Sequence, residues 1–184
     1  MNATGEAILT HPAPCGHFVY PYTDESHFCE AVCLFIGSGL RKGGSALLLA
    51  TELHAAAIRR QLREDRLDVA SLEASGRLIF RTVESLLGSF MFDGVVDDEL
   101  FKATAGRLIE TAKAAATNGD VRVFGEMVNA LWLSDLPATQ HVEELWNEVI
   151  KLHSVPLLCA YSLGGSRPEA LPGSLLTCHS ETLS

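Results

Sequence analysis

The fold is decided by residues 17–50, HFVYPYTDESHFCEAVCLFIGSGLRKGGSALLLA. The stretch begins and ends with short apolar segments, 17–20 and 45–50, which have the composition of buried strands. Between them, apolar residues recur at spacings of three and four until Gly43 and Gly44, which is typical of an amphipathic helix with a glycine stop. A strand, a helix and a strand in this order form a βαβ unit with parallel strands. The sequence therefore predicts an α/β fold.

The alternation continues through the rest of the chain. Asp97 or Asp98 is expected to cap a long helix that ends near Thr117. Further strands are predicted at residues 78–83, 121–124 and 155–161. Five strands alternating with helices predict one three-layer domain, with a mostly parallel sheet and helices on both faces.

Length and composition set the domain limits and exclude some functions. The 184 residues suit a single domain, expected at 16–163, after an irregular N-terminus at 1–15 and before a flexible tail at 164–184 that is rich in Gly, Ser, Pro and Thr. The net charge of -9 disfavours direct binding to nucleic acid. Apolar runs are too short for a membrane span, and no signal peptide is recognisable. Together with an odd number of cysteines, this predicts a cytoplasmic protein.

The segment GEMVNALW, residues 125–132, directly follows the strand expected at 121–124. Open parallel sheets bind ligands at the carboxyl ends of their strands, so Glu126, Asn129 and Trp132 are candidate ligand-binding residues. Glu126 either accepts a hydrogen bond from a ligand or is the structural partner of a buried histidine, for which His17 is the candidate. Trp132 is either a ligand platform or, more commonly for a large aromatic residue, part of the core.

Four more candidates, His17, Tyr20, Tyr22 and Glu25, cluster around the first strand and the turn after it. They would adjoin Glu126 if the two strands are neighbours, and aromatic walls with a few polar groups are typical of small-molecule pockets. The structural alternative is that Tyr20 belongs to the core, His17 caps a strand and Glu25 complements a helix dipole.

The turn at residues 21–26 does not have the features of a phosphate-binding loop. It contains no glycine, and Asp24 and Glu25 place negative charge where a triphosphate needs positive charge. Cys29 and Cys33 have a spacing that could hold a metal but more commonly accompanies burial. The sequence shows no recognisable nucleophile or metal set, so no catalytic residue, metal site or cofactor is predicted.

Several segments together resemble the MEDS domain, the sensory domain named for methanogens, methylotrophs and the repressor DcmR. The matching segments are HFVY at 17–20, FIGSGLRKG at 35–43, ALLLATE at 46–52, GEM at 125–127 and LW at 131–132. The resemblance spans residues 16–163 and implies a RecA-like or KaiC-like fold that has lost its phosphate loop. It also implies a sensor of small hydrocarbon derivatives, which is not an enzyme.

MEDS domains commonly precede histidine kinases or DNA-binding domains, whereas this chain has no recognisable output domain. Its signal is therefore expected to leave through a partner protein, such as a histidine kinase or a transcription regulator, or through self-association. The leading hypothesis is a sensory module that binds a small organic ligand. The alternatives are a degenerate RecA-type interaction scaffold without a ligand and, last, an enzyme that uses Glu126 as a base.

Overall fold

The computed structural model describes residues 3–165 and 167–183. In chain order its elements are α1 (Ala3–Thr10), β1 (His17–Tyr22), α2 (Glu25–Arg41), β2 (Ser45–Ala50), α3 (Glu52–Glu64), α4 (Val69–Ala74), β3 (Leu78–Thr82), α5 (Val83–Leu87), β4 (Met91–Phe92), β5 (Val95–Val96), α6 (Asp98–Ala115), β6 (Val121–Gly125), α7 (Met127–Leu131), α8 (Leu136–His153), β7 (Leu157–Ser162), α9 (Gly173–Leu176) and β8 (Glu181–Thr182). Within the described residues, no helix has both the length and the apolar character that crossing a membrane requires.

Six strands form one sheet in the order β3-β2-β6-β7-β1-β8, and every neighbouring pair is parallel. β4 and β5 form a separate antiparallel hairpin. Helices α1 to α4 pack against one face of the sheet and helices α5 to α9 against the other, around two apolar cores. The three-layer α/β fold expected from the sequence is therefore confirmed.

The helix α2 shows how the deciding stretch of sequence produces its structure. Asp24 caps the helix by accepting hydrogen bonds from the backbone N–H groups of Ser26 and His27, both at 2.9 Å. Phe35, on the apolar stripe, is fully buried, and burying such a side chain stabilises a fold by about 1.5–3 kcal/mol. After the helix ends, Gly43 adopts a φ of +93°, which a glycine tolerates without strain.

Residues 3–10 form the helix α1, whereas an irregular N-terminus was expected over residues 1–15, and residues 11–16 are irregular. Leu9 on α1 is fully buried against α2. Arg122 of β6 links α1 to α2 by hydrogen bonds. Its Nη1 donates to the carbonyl oxygen of Leu9 on α1 and to the carbonyl oxygen of Phe35 and Oγ of Ser38 on α2, at 2.6–2.8 Å. Buried contacts of this kind offset the conformational entropy that a terminal segment loses when it becomes ordered. Residues 1 and 2 lie outside the described residues.

The C-terminal segment also differs from the flexible tail that its composition suggested. Leu171, Leu175 and Leu183 are buried, and β8 pairs in parallel with β1. Three leucines supply the apolar burial that the surrounding Gly, Ser and Pro residues lack. The tail prediction is untested for residues 166 and 184, which lie outside the described residues.

The strands β1 and β2 are parallel, as the βαβ pattern predicted, but they are not neighbours. β6 and β7 lie between them, so β7 also separates β1 from β6. The sequence placed the residues of β1 beside Glu126 on the condition that β1 and β6 are neighbouring strands, and this condition is not met. What brings residues from β1, β2, β6 and β7 together is the shared edge at which all parallel strands end.

Candidate functional site

A cleft opens at the carboxyl ends of the parallel strands, where the segments that follow β1, β2, β6 and β7 meet. Its volume of about 400 Å³ falls within the range of small-molecule sites, about 300–1,000 Å³. Polar and apolar side chains line it: Tyr22, Glu25, Thr51, Leu53, His54, Val83, Glu126, Asn129, Ala130, Ser162 and Arg167. The structure thus has a cleft at the edge where the sequence placed a ligand site.

Glu126 is the central carboxylate of this cleft. It precedes α7, but its side chain does not cap that helix. The side chain crosses instead to the end of β2, where Oε1 accepts from the backbone N–H of Thr51 and Oε2 pairs with Nδ1 of His54, both at 2.5 Å. The Glu126 side chain is only 1% exposed, and a buried carboxylate is costly unless it is paired. Glu126 therefore ties the ends of β6 and β2 together.

His54, in the first turn of α3, lies between two carboxylates. Its Nε2 is 3.0 Å from Oε2 of Glu25, on the side opposite Glu126, and its ring packs on Phe28 with the centroids 4.8 Å apart. The hydrogen bond to Glu126 raises the pKa of His54, burial opposes this, and the charges of Glu126 and Glu25 raise the pKa further. Both ring nitrogens face carboxylate acceptors, and this arrangement favours the doubly protonated imidazolium form.

The opposite wall of the cleft carries the complementary charge. Oδ1 of Asn129 accepts from the backbone N–H of Ser162 at 3.0 Å and from Nη1 of Arg167 at 3.2 Å. Arg167 is partly exposed, so its guanidinium is accessible from the cleft. The site therefore has an acidic wall, in which His54 lies between two carboxylates, and a wall with a guanidinium.

Tyr22 forms the floor between these walls. Its ring stacks on Phe28 at a centroid distance of 4.4 Å. Burial raises the pKa of Tyr22 far above its ordinary value, and the charges of Glu25 and Glu126 add to the shift. The phenol therefore stays protonated and is able to donate a hydrogen bond.

The turn between β1 and α2 uses an acidic residue to cap the helix. The carboxylate of Asp24 accepts from the N–H groups of Ser26 and His27. These are donors that a helix N-terminus would otherwise offer to an anion.

Four of the seven candidate residues come together in the cleft, namely Tyr22, Glu25, Glu126 and Asn129. Tyr20 and Trp132 are buried in the two apolar cores instead, and the Trp132 ring stands edge-on to Tyr161 at 5.9 Å.

The expected pairing of His17 with Glu126 is wrong. His17 is the first residue of β1 and Glu126 follows the last residue of β6, so the two lie at opposite edges of a parallel sheet. His17 contacts Glu143 of α8 at 3.2 Å instead, whereas Glu126 pairs with His54.

Sequence reasoning missed His54, Thr51 and Arg167. The first two had a usable signal, because Thr51 directly follows the apolar strand β2 and His54 lies one helical turn later. A helix that starts at the carboxyl end of a strand presents its first turn to the same edge as Glu126. Arg167 gave no such signal, since it lies in the Gly- and Ser-rich segment after β7.

Comparison with known proteins agrees with this description. The sequence profile of MEDS, the methanogen/methylotroph, DcmR sensory domain, matches residues 16–179. No curated protein is similar enough to the chain to count as a relative. Among solved structures, a KaiC-like protein from the hyperthermophilic archaeon Pyrococcus horikoshii OT3 has a TM-score of 0.64 and 14% identity, over 92% of this chain and 71% of that one.

At such low identity the structural likeness shows the fold alone, which is of the KaiC-like, RecA type. The family profile extends from just before β1 to the segment that leads into β8, and so includes every residue of the cleft. The chain therefore belongs to the MEDS family of sensory domains.

Proposed function

We propose that this domain binds a small organic ligand, of the hydrocarbon-derived class, in the carboxyl-edge cleft and passes the signal to another protein or to a second copy of itself. The observation that carries the proposal is the bridge Glu126–His54–Glu25 facing the Asn129–Arg167 wall. Two opposed polar walls, each fixed by hydrogen bonds to the scaffold, orient a small molecule more precisely than mobile surface side chains do.

The chemistry of the lining suggests a ligand with one apolar part and one polar group. Leu53, Val83 and Ala130 supply apolar contacts in the same cleft. Glu25 accepts hydrogen bonds, while Arg167 donates them. Such a cleft suits a short-chain molecule that carries a hydroxyl, amine or carboxylate.

The position of the bridge gives a route for the signal. Glu126 stands at the start of α7, and His54 lies in the first turn of α3. A ligand that competes for either partner would alter how the two helix starts are held. Binding shifts the domain between two states only if the ligand prefers one of them. The receiving protein in this proposal is cytoplasmic, such as a histidine kinase or a transcription regulator.

Two observations support a non-catalytic role. Glu126 already binds two donors, Thr51 and His54, which makes it a poor general base. Asp24 occupies the helix terminus at which a nucleotide phosphate would bind. Both are consistent with a sensory family rather than with an ATP-hydrolysing one.

Thermal-shift and calorimetric screening tests the proposal directly. The probes are C1 to C4 alcohols, amines, carboxylates and halogenated hydrocarbons, applied to the wild type, Arg167→Ala and the exposed control Arg63→Ala. A ligand at a hundred times its Kd stabilises a protein by about 2.7 kcal/mol, which raises Tm by about 5–10 °C for a chain of this size. We expect this shift in the wild type and in Arg63→Ala, and its loss in Arg167→Ala.

The absence of any shift across the panel, or an equal shift in Arg167→Ala, would contradict ligand binding at this cleft. The second candidate function, an interaction scaffold, would then gain support from the β4–β5 hairpin. There the paired residues Phe92 and Val95 are 52% and 70% exposed. A scaffold would self-associate or retain a partner without ligand, and Val95→Ser would abolish that association in light scattering.

A further inference from the structure

Four metal-ligating side chains meet on the face of the sheet that α8 covers, outside the cleft. They are His17 of β1, Glu143 of α8, Cys159 of β7 and His179, which lies between α9 and β8. One donor atom from each lies within 4.8 Å of all the others. We call this group the buried tetrad, because the side chains of His17, Glu143 and His179 are at most 2% exposed and Cys159 is 1% exposed.

The hydrogen bonds around the tetrad determine which nitrogen of each histidine carries a proton. Nδ1 of His17 is 3.2 Å from Oδ1 of Asn147, and that amide is oriented by its own Nδ2, which donates to the carbonyl oxygen of Cys178 at 2.9 Å. Nδ1 of His179 is 2.8 Å from the carbonyl oxygen of Leu175. Both partners only accept, so Nδ1 is the donor in each ring. The two Nε2 atoms are left to point into the tetrad.

With this tautomer, Nε2 of His17 has the thiol of Cys159 as a neighbouring donor, whereas Nε2 of His179 has no donor within hydrogen-bonding geometry among the described residues. Nε2 of His17 is 3.2 Å from Oε2 of Glu143 and 3.3 Å from Sγ of Cys159. Nε2 of His179 is 3.2 Å from Oε1 of Glu143, but without the angles of a hydrogen bond, and it has no such partner among the described residues. A buried acceptor without a donor is a destabilising arrangement. A cation at the centre would satisfy all four groups at once.

The charges of the four side chains also suit a divalent cation. The Glu143 carboxylate carries one negative charge, and the thiol of Cys159 would release its proton on binding a metal and supply a second. A divalent ion bound by this carboxylate, this thiolate and two imidazoles would leave no net charge in the buried site.

The spacing of the donors fits a tetrahedral site. Bonds of about 2.0–2.3 Å from a zinc ion to nitrogen, oxygen and sulfur place neighbouring ligands about 3.3–3.6 Å apart. Nε2 of His17 and Sγ of Cys159 lie 3.2 and 3.5 Å from Oε2 of Glu143 and 3.3 Å from each other, and Nε2 of His179 lies 3.2 Å from Oε1 of Glu143. One donor atom from each residue lies within 4.8 Å of all the others, so an ion would draw the most distant donors together. Two imidazoles and a thiol favour a borderline-soft ion such as Zn²⁺ over Mg²⁺ or Ca²⁺, which prefer oxygen.

The groups behind the ligands are those that metal sites use to orient them. Asn147 and the Leu175 carbonyl hold the two imidazoles through Nδ1, and the hydroxyl of Tyr161 donates to Oε1 of Glu143 at 2.5 Å. In metal sites, a histidine ligand commonly donates its other N–H to an amide, carbonyl or carboxylate oxygen, and ligating carboxylates are hydrogen-bonded in turn.

We propose that His17, Glu143, Cys159 and His179 bind a structural Zn²⁺ ion. All four positions of a tetrahedron are filled by protein atoms and the site is closed to solvent, as in structural rather than catalytic zinc sites. The ion would join the C-terminal segment at His179 to β1, β7 and α8. This inference is independent of the ligand proposed for the carboxyl-edge cleft.

The test uses the full chain, purified through a tag without histidines from cells grown with zinc. Elemental analysis is expected to find about one zinc per chain. After the metal is removed with a chelator, added Co²⁺ should give the tetrahedral visible bands and the thiolate-to-cobalt band of a site with one cysteine. Added Zn²⁺ at a hundred times its Kd should raise Tm by about 5–10 °C.

The variants Cys159→Ser and His179→Ala should lose the zinc. Their matched controls, Cys29→Ser and His27→Ala, lie on α2 outside the tetrad and should keep it. A zinc-free wild type that Zn²⁺ does not stabilise would overturn the proposal and favour the metal-free network. Equal zinc content in the tetrad variants and their controls would also overturn it. If Cys159→Ser does not fold, the Co²⁺ spectrum of the wild type still tests whether a cysteine binds the metal. A spectrum without the thiolate band would contradict the assignment of Cys159 as a ligand.

Discussion

The carboxyl-edge cleft and the buried tetrad are built from the same residue types in opposite proportions. In the cleft one imidazole, His54, lies between two carboxylates, Glu25 and Glu126. In the tetrad one carboxylate, Glu143, lies between two imidazoles, His17 and His179. One group is open to solvent at the edge of the sheet, whereas the other is closed beneath α8.

This difference shows how proportion and burial change the chemistry of the same side chains. Two carboxylates around an imidazole stabilise its charged form, and the open cleft keeps that charge accessible to a ligand. Two buried imidazoles and a thiol around a carboxylate form a donor set that suits a metal ion. The first arrangement suits reversible recognition, while the second suits a permanent structural ion.

The largest loss of unfolding free energy is expected from Glu143→Ala. The substitution leaves both histidines and the Tyr161 hydroxyl without their shared partner in the interior. Removing one member of a buried ionic network typically costs about 3–5 kcal/mol. Urea unfolding in zinc-containing buffer measures the loss, and a loss below about 1 kcal/mol, the scale of exposed ion pairs, would contradict the structural role of the tetrad.

A smaller loss is expected from the same substitution in the cleft, Glu126→Ala. Hydrogen bonds to a charged group contribute about 1.5–3 kcal/mol each, but here water from the open cleft is able to replace part of what is lost. The exposed Glu64→Ala is the matched control and should change the unfolding free energy by less than about 0.5 kcal/mol. The comparison fails if Glu126→Ala costs more than Glu143→Ala.

The pH dependence of stability sharpens the assignment of charge to His54. The bond to Glu126 is the main cause that raises the pKa of His54 above 6.5. A raised pKa in the folded state adds stability that is fully present below about pH 6.5 and is lost as the pH rises through the folded value. The wild type should therefore exceed His54→Asn in unfolding free energy by more at pH 6 than at pH 9.

Chemical denaturation at both pH values measures this difference, with His27→Asn as the exposed control. A wild-type advantage that is constant between pH 6 and pH 9 would show that His54 is not charged in the folded state.

The smallest change in stability is expected from Arg167→Ala, measured in the absence of ligand. Its guanidinium donates a hydrogen bond of 3.2 Å to the side chain of Asn129, and Arg167 is partly exposed. Changes at such positions usually alter stability by less than about 0.5 kcal/mol. A loss above about 2 kcal/mol in thermal unfolding would mean that this wall is structural rather than free to meet a ligand.

Much of the fold could be predicted because its signals are local. The apolar stripe of α2, the cap at Asp97 and the apolar strands 45–50 and 121–124 are all visible in short windows of sequence. Strand order is not local, since a crossover helix specifies parallel orientation but not which strands are neighbours. The packed C-terminal segment was missed because Leu171, Leu175 and Leu183 are diluted among Gly, Ser and Pro.

In the candidate site, too, local signals could be predicted from the sequence and long-range contacts could not. Glu126 was predictable because it directly follows a strand, and the carboxyl ends of parallel strands share an edge. Its partner His54 lies 72 residues away in sequence, and only the pairing of β2 with β6 brings the two together. The tetrad has no short spacing motif, because its donors come from β1, α8, β7 and the segment between α9 and β8.

The central claim is that the two imidazoles of the tetrad bind a metal ion through Nε2, whereas the His54 imidazole of the cleft, which is held between two carboxylates, does not. Nitrogen-15 NMR of the histidine rings at pH 7, before and after addition of Zn²⁺ to chelator-treated protein, tests it most directly. We predict that the Nε2 signals of His17 and His179 move on binding and that the His54 signals stay unchanged. Nε2 signals of His17 and His179 that do not respond to Zn²⁺, or His54 signals that move with them, would contradict the account.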